Sequence, residues 1–171
     1  MALIHNVFIR VLNCIYLQAP KVKTEKDISD FAIFMDSWVI TIHEHHRNEE
    51  KLFFPRLEEM IGIPNYLEKN VEQHHAFAPG FDKFEVYVKA LRAGTMEFDA
   101  AKVRELIDGF GEILTNHLAE EIDTLLECER FGDKVDWPAW DKYTEDIAVG
   151  TADKVSGNVR IQPGTNLFLV L

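Results

Sequence analysis

The chain has 171 residues, of which 47% are hydrophobic, and a formal net charge of -11. That length sustains one sizeable core, and that apolar fraction excludes a disordered chain. The acidic balance argues against nucleic-acid and anionic-membrane partners, because both need a basic face.

Four long segments carry helical periodicity, separated by short breaks that contain Pro or Gly. The first runs from about Ala2 to Gln18, with Ile4, Phe8, Val11, Leu12 and Ile15 on its apolar face. His5 points inward with them, and Pro20 ends the segment. This opening lacks the basic start and small-residue cleavage site of a signal peptide. No apolar run in the chain reaches the roughly 20 residues of a membrane span. The second segment runs from about Lys26 to Ile61. Thr24 and Asp27 predict a capping box at its start, and Pro55 predicts a kink inside it. Gly62 and Pro64 stop it.

The third segment begins near Asn65 and ends before Gly94. Its stripe is Leu67, Val71, His74, Ala78, Phe81, Phe84, Val88 and Leu91, and Pro79-Gly80 predicts a kink or short break. The fourth runs from about Asp99 to Phe131, with Val103, Leu106, Phe110, Leu114, His117, Glu121, Leu125 and Cys128 inward. Beyond Gly132, Trp137, Pro138, Trp140 and Tyr143 predict a short helix anchored by its aromatic residues, with both tryptophans as packing anchors. The closing stretch NVRIQPGTNLFLVL is expected to lie as a tail across the bundle. The fold class is therefore all-α. It is an antiparallel four-helix bundle over residues 1–131 with an extension over 132–171 packed on it. Cys14 and Cys128 fall in helix-like segments and read as buried thiols in a reducing, cytoplasmic setting.

Every stripe contains polar intruders. They are His5 on the first, His46 and Glu50 on the second, His74 on the third, and His117 and Glu121 on the fourth. His46–Glu50 and His117–Glu121 share a four-residue spacing, so each pair lies on one helix face about one turn apart. Unpaired buried carboxylates are costly, and two close together would not both stay ionised. No Lys or Arg lies on these stripes, so a metal cation is the expected counter-charge. Mixed imidazole and carboxylate donors suit iron, zinc or manganese, and the scarcity of thiolate argues against structural zinc and iron–sulfur sites. Because a carboxylate bridges two ions, six donors of this mix fit a dinuclear centre.

Neighbouring residues have blander readings. His45–Glu49 has the same spacing one residue out of phase, on a stripe with Trp38, Ile42 and Leu52. His46–Glu50 is preferred because Phe53, Leu57 and Met60 continue its phase. His43 and Glu44 read as solvated or as groups that orient the ligands, and Glu120 as solvated. Glu72 and His75 match the Glu-x-x-His spacing of ferritin-like sites but have no second copy.

Taken together, a first-helix histidine, His-x3-Glu leading into Phe-Phe-Pro, the run Gln-His-His-Ala-Phe, and a second His-x3-Glu resemble the hemerythrin-like family of HHE cation-binding domains. The resemblance covers roughly residues 2–131, and its segments look most like fungal members. It implies a non-haem di-iron site with bridging carboxylates that binds dioxygen or a related small oxidant. His5, His46, Glu50, His74, His117 and Glu121 would be the ligands. Two irons are the implied cofactor, with one iron or another divalent metal as the alternative. The family commonly has a further histidine one turn after the third-helix histidine, where this chain has Ala78. That departure implies an open coordination position or a substitute ligand from His75. It also motivates a rival reading as a non-haem iron oxygenase or peroxide-handling enzyme. A metal-free or zinc-bound structural bundle is the third reading.

Overall fold

The computed structural model describes residues 1–158, so the expected course of segment 159–171 across the bundle lies outside the described residues. Among the described residues there are seven α-helices: α1 Ala2–Gln18, α2 Glu25–Asn48, α3 Phe54–Ile61, α4 Glu68–Arg92, α5 Ala100–Asp108, α6 Gly111–Glu127 and α7 Trp137–Asn158. No strand occurs among the described residues. The pairs α1–α2, α2–α4, α4–α6 and α6–α1 pack together, which closes a ring of four. The all-α bundle expected from periodicity is the fold observed.

Local chemistry sets the element ends. Thr24 opens α2 with the expected capping box: the Asp27 N–H donates to Thr24 Oγ1 at 3.1 Å, and the Thr24 N–H donates to Asp27 Oδ2 at 3.1 Å. Gly62 closes α3 at φ 80°, a conformation that glycine adopts without a Cβ clash. The second predicted segment is not one kinked helix. Between α2 and α3 the chain makes a wider π turn over Glu49–Phe53, with the Phe54 N–H donating to the carbonyl of Glu49. Pro55 lies in the first turn of α3, where a missing N–H costs least.

Pro79, by contrast, neither breaks nor ends α4. It is exposed, and so is His75, whose carbonyl the missing N–H would have met. The break falls on the facing segment, between α5 and α6 at Gly109–Phe110. There α4 passes so close that a Cβ on Gly80 would lie 2.8 Å from both Gly109 O and Phe110 Cβ.

Burial divides the interior into two apolar cores. One holds Phe8, Trp38, Ile42, Phe77, Phe81, Phe84 and Phe110, with the Trp38 indole N–H donating to Phe8 O at 3.2 Å. The other holds Phe53, Phe54, Leu57, Leu67 and Cys128, against which Trp137, Trp140 and Tyr143 of α7 pack. Along each bundle helix the polar intruders fall at the passage from one core to the other. On α2 the order is Ile42, then His45 to Glu49, then Phe53; on α4 it is Leu67, then His74, then Phe77. The order reverses between neighbouring helices, as antiparallel packing requires.

The stretch Ala2–Lys21 is long and apolar enough to cross a membrane by length and composition, contrary to the sequence expectation. Its inner face is nonetheless committed to the bundle, with His5, Phe8, Leu12 and Ile15 buried. The helix of the extension is longer than expected. Helix α7 runs 22 residues, and the Asn48 amide of α2 donates to the Thr151 hydroxyl at 2.9 Å.

Candidate metal centre

Two groups of potential ligands lie back to back in the polar layer. His46, Glu49, His74 and His117 form one, and His5, His45, Glu49 and Glu121 form the other. Within each group the ligand atoms lie within 4.8 Å of one another. Glu49 belongs to both. Its Oε1 lies 2.8 Å from His45 Nε2 and 4.0 Å from His5 Nε2, while its Oε2 lies 3.6 Å from His74 Nε2. Glu121 Oε2 sits between the groups as well, 3.4 Å from His5 Nε2 and 3.7 Å from His117 Nε2. Two carboxylates therefore span two imidazole sets, three rings on one side and two on the other.

Hydrogen bonds on the far side of the rings fix which nitrogen faces the centre. His5 Nδ1–H donates to Leu118 O at 2.8 Å, His74 Nδ1–H to Glu50 Oε1 at 2.8 Å, and His117 Nδ1–H to Gln73 Oε1 at 3.2 Å. Each neutral ring then presents a bare Nε2 lone pair inward. Yet the bare His74 Nε2 and His117 Nε2 lie 3.1 Å apart. Converging lone pairs repel unless a cation sits among them. His46 Nε2 and both oxygens of Glu49 and Glu121 are also buried without a hydrogen-bond partner. A donor set of five imidazoles and two carboxylates, orphaned in this way, fits metal ions.

Electrostatics without metal point the same way. Burial is the largest cause of every shift. It lowers His5 to about 4, and His45 and His117 to about 3; it also lowers His74 and drives His46 well below its usual value. The rings are thus neutral, which is the metal-binding state. Burial pushes Glu49 and Glu121 well above the usual carboxyl range, and the charge of Glu49 raises Glu121 further.

The structure redistributes the residues read from sequence. His5, His46, His74, His117 and Glu121 are all buried and brought together. Glu50 is not in either group. Glu49, wholly buried, takes the place expected for it, and Glu50 stands behind as acceptor for His74. The cause is the π turn: a stripe extrapolated back from Phe53 and Leu57 at α-helical spacing arrives one residue late.

His45 was read only as the out-of-phase alternative to His46, but both point inward. Neighbours on a helix diverge by about 100°, and each faces a different group. The expected gap at Ala78 lies outside both groups, because the third ring of the first group comes from His46. Phe77 fills that face of α4, its ring centroid 5.1 Å from that of His46. His75 is exposed and plays no part. His43 pairs with Glu85 at the surface at 3.0 Å, and Glu44 with Arg47. A further polar residue went unnoticed in the sequence. Asn70, one turn before His74, is fully buried with neither amide atom paired.

Removing the acceptor behind His74 tests this arrangement. Glu50→Ala is expected to weaken metal binding by roughly 10–100-fold, the usual effect of losing such a partner. Glu50→Gln keeps an acceptor and should restore most of it. Competition with a chelator of known affinity measures both.

A helical bundle with carboxylates shared between two buried histidine groups defines a class: metal-cation-binding proteins with the site in the bundle core. The chain belongs to the hemerythrin HHE cation-binding domain family, whose model matches residues 1–128. Members of this family bind metal cations, typically iron. The chain is also 34% identical over 150 residues to "Dimeric xanthone biosynthesis cluster protein R11" of Cryptosporiopsis sp. (strain 8999). That alignment covers 86% of this chain and 56% of the relative, so the chain spans a little over half of that protein's length. No solved structure matches.

Proposed function

We infer that the two groups hold a pair of iron ions that bind dioxygen or a related small oxidant. The observation that carries this reading is Glu49, whose two buried oxygens face different histidine groups. Imidazole with carboxylate suits iron among the common metals, and a shared carboxylate suits a pair. Ferrous iron would supply the electrons that binding of an oxidant draws on. The chain's own residues hold and shield it. His46, His74 and His117 with Glu49 would hold one ion, and His5 and His45 with Glu49 and Glu121 the other. Leu118 O, Glu50 and Gln73 keep Nδ1 protonated and Nε2 free. Phe8 lies edge-on to His45 with ring centroids 4.8 Å apart, and Phe54 stacks on His74 at 6.1 Å; both exclude water.

The test is metal analysis of protein purified without added metal, followed by spectra of the ferrous form with and without oxygen. Two irons per chain and an oxygen-dependent charge-transfer band are expected. A chain that takes up no iron, or whose iron is indifferent to oxygen, overturns the reading.

A second reading, turnover of an organic molecule at the same centre, is supported by the relative's title, which names a biosynthesis cluster. It is further supported by a cavity that reaches His45.

A further inference from the structure

Helix α7 does not pack flush on the bundle. Between it and the ends of α1, α3 and α6 lies a cavity of about 1220 Å³. Its walls include Phe53, Leu57, Leu125, Trp137 and Trp140. Of the residues in the two metal groups, His45 alone lines it. His45 belongs to the second group, so the cavity leads to the His5–His45 side of the centre.

Three features define what fits. The size reaches or exceeds that of pockets for drug-sized molecules, about 300–1,000 Å³, and far exceeds what a diatomic oxidant needs. The wall is aromatic: Trp137 and Trp140 meet edge-to-face with centroids 6.3 Å apart, and Phe53 lies 6.5 Å from Trp140. Flat rings gain most from such surfaces. The mouth is acidic. Glu129, Asp141 and Glu145 are exposed there, and Lys142, the one cation among the described lining residues, is paired with Asp146. A carboxylated or phosphorylated guest would be repelled.

We propose that this cavity is the binding site for an uncharged, planar, fused-ring aromatic molecule, seated between the α7 tryptophans and Phe53 with its inner edge against His45. The two tryptophans are then walls of a ligand site as well as packing anchors. The proposal deepens the second reading above and depends on it for turnover, not for binding.

Acridone, an uncharged tricyclic ketone with its own fluorescence, is the probe, and its 4-carboxylate is the charged control. Titrated into the full chain, acridone should quench tryptophan emission saturably at one site, with or without iron. The carboxylate should bind at least tenfold more weakly. Loading iron should dim the emission of bound acridone, because the probe sits beside His45. Trp140→Ala should weaken binding at least tenfold. Should that change loosen α7, Thr144→Trp adds bulk at a half-buried position of the same lining and should weaken binding to the same degree. Absence of saturable quenching in a chain that loads iron normally overturns the proposal and leaves the metal reading standing, as does a cavity already filled by the chain's own residues 159–171. Equal binding of the carboxylate, or acridone emission indifferent to iron, also overturns it. Failure to load iron counts against the metal reading alone, since the quenching arm needs no metal.

Discussion

Glu49→Gln is expected to reduce metal content from two ions per chain to well below one, after loading and desalting under conditions that fill the parent. Each Glu49 oxygen faces a different histidine group, so a single substitution damages both. An amide keeps one oxygen but replaces the other with an NH₂ that cannot ligate. The neighbouring Glu50→Ala, which only weakens affinity, serves as the control at high metal concentration.

Loss of metal by Glu49→Gln should not come from unfolding. Burial raises the Glu49 carboxyl well above its usual value. Such a group contributes stability that is fully present below its unfolded value, near 4.5, and is lost as pH rises through the folded value. Glutamine has no proton to lose. In the metal-free state, the variant should therefore unfold at a temperature no lower than the parent's near pH 8, where the parent's penalty is largest.

Removing metal from the parent should give the second large effect. With metal at about a thousandfold excess over its dissociation constant, binding to the folded state alone adds about 4 kcal/mol. For a chain of this size that corresponds to a shift of roughly 8–16 °C in the unfolding midpoint. The shift should grow as pH rises from about 5 to 8. Glu49 and Glu121 must lose protons to hold a cation, and their raised values keep those protons on in the metal-free chain. The imidazoles add nothing to this trend above pH 6.5, since burial already keeps them neutral. They act at the acid end instead. Lowered His5, His45 and His117 contribute stability present above 6.5 that is lost as pH falls towards 4 and then 3. Scanning calorimetry with and without chelator across this range measures both trends.

The sequence made the bundle legible because burial recurs with the helical period. Phe8, Phe81, Leu114 and His117 sit where their stripes put them, and Thr24 caps where its hydroxyl and Asp27 predict. What escaped was wherever the period itself changes. The π turn at Glu49–Phe53 leaves no mark in hydrophobic spacing, so the carboxylate was placed one residue late. His45 and His46 were treated as alternatives because one stripe has one phase; a layer wide enough for two histidine groups accepts both. The gap expected at Ala78 came from the family's usual third-helix histidine, a position that lies outside both groups here. Of the kink or short break expected at Pro79, the break does not occur: α4 runs through the proline. The break at Gly109–Phe110 lies against Gly80 on another helix, and the local signal for it, Gly109 and Gly111, was not read. The cavity under α7 is a gap between distant segments and has no sequence signature at all.

The most direct test of the central claim, two metal ions sharing Glu49, is a crystal structure of the iron-loaded protein with anomalous difference maps at the iron edge. Two peaks are predicted, one among His46, His74 and His117 and one among His5, His45 and Glu121, with a Glu49 oxygen on each. A single peak, or a pair spanned by Glu50 with Glu49 turned away, would contradict it.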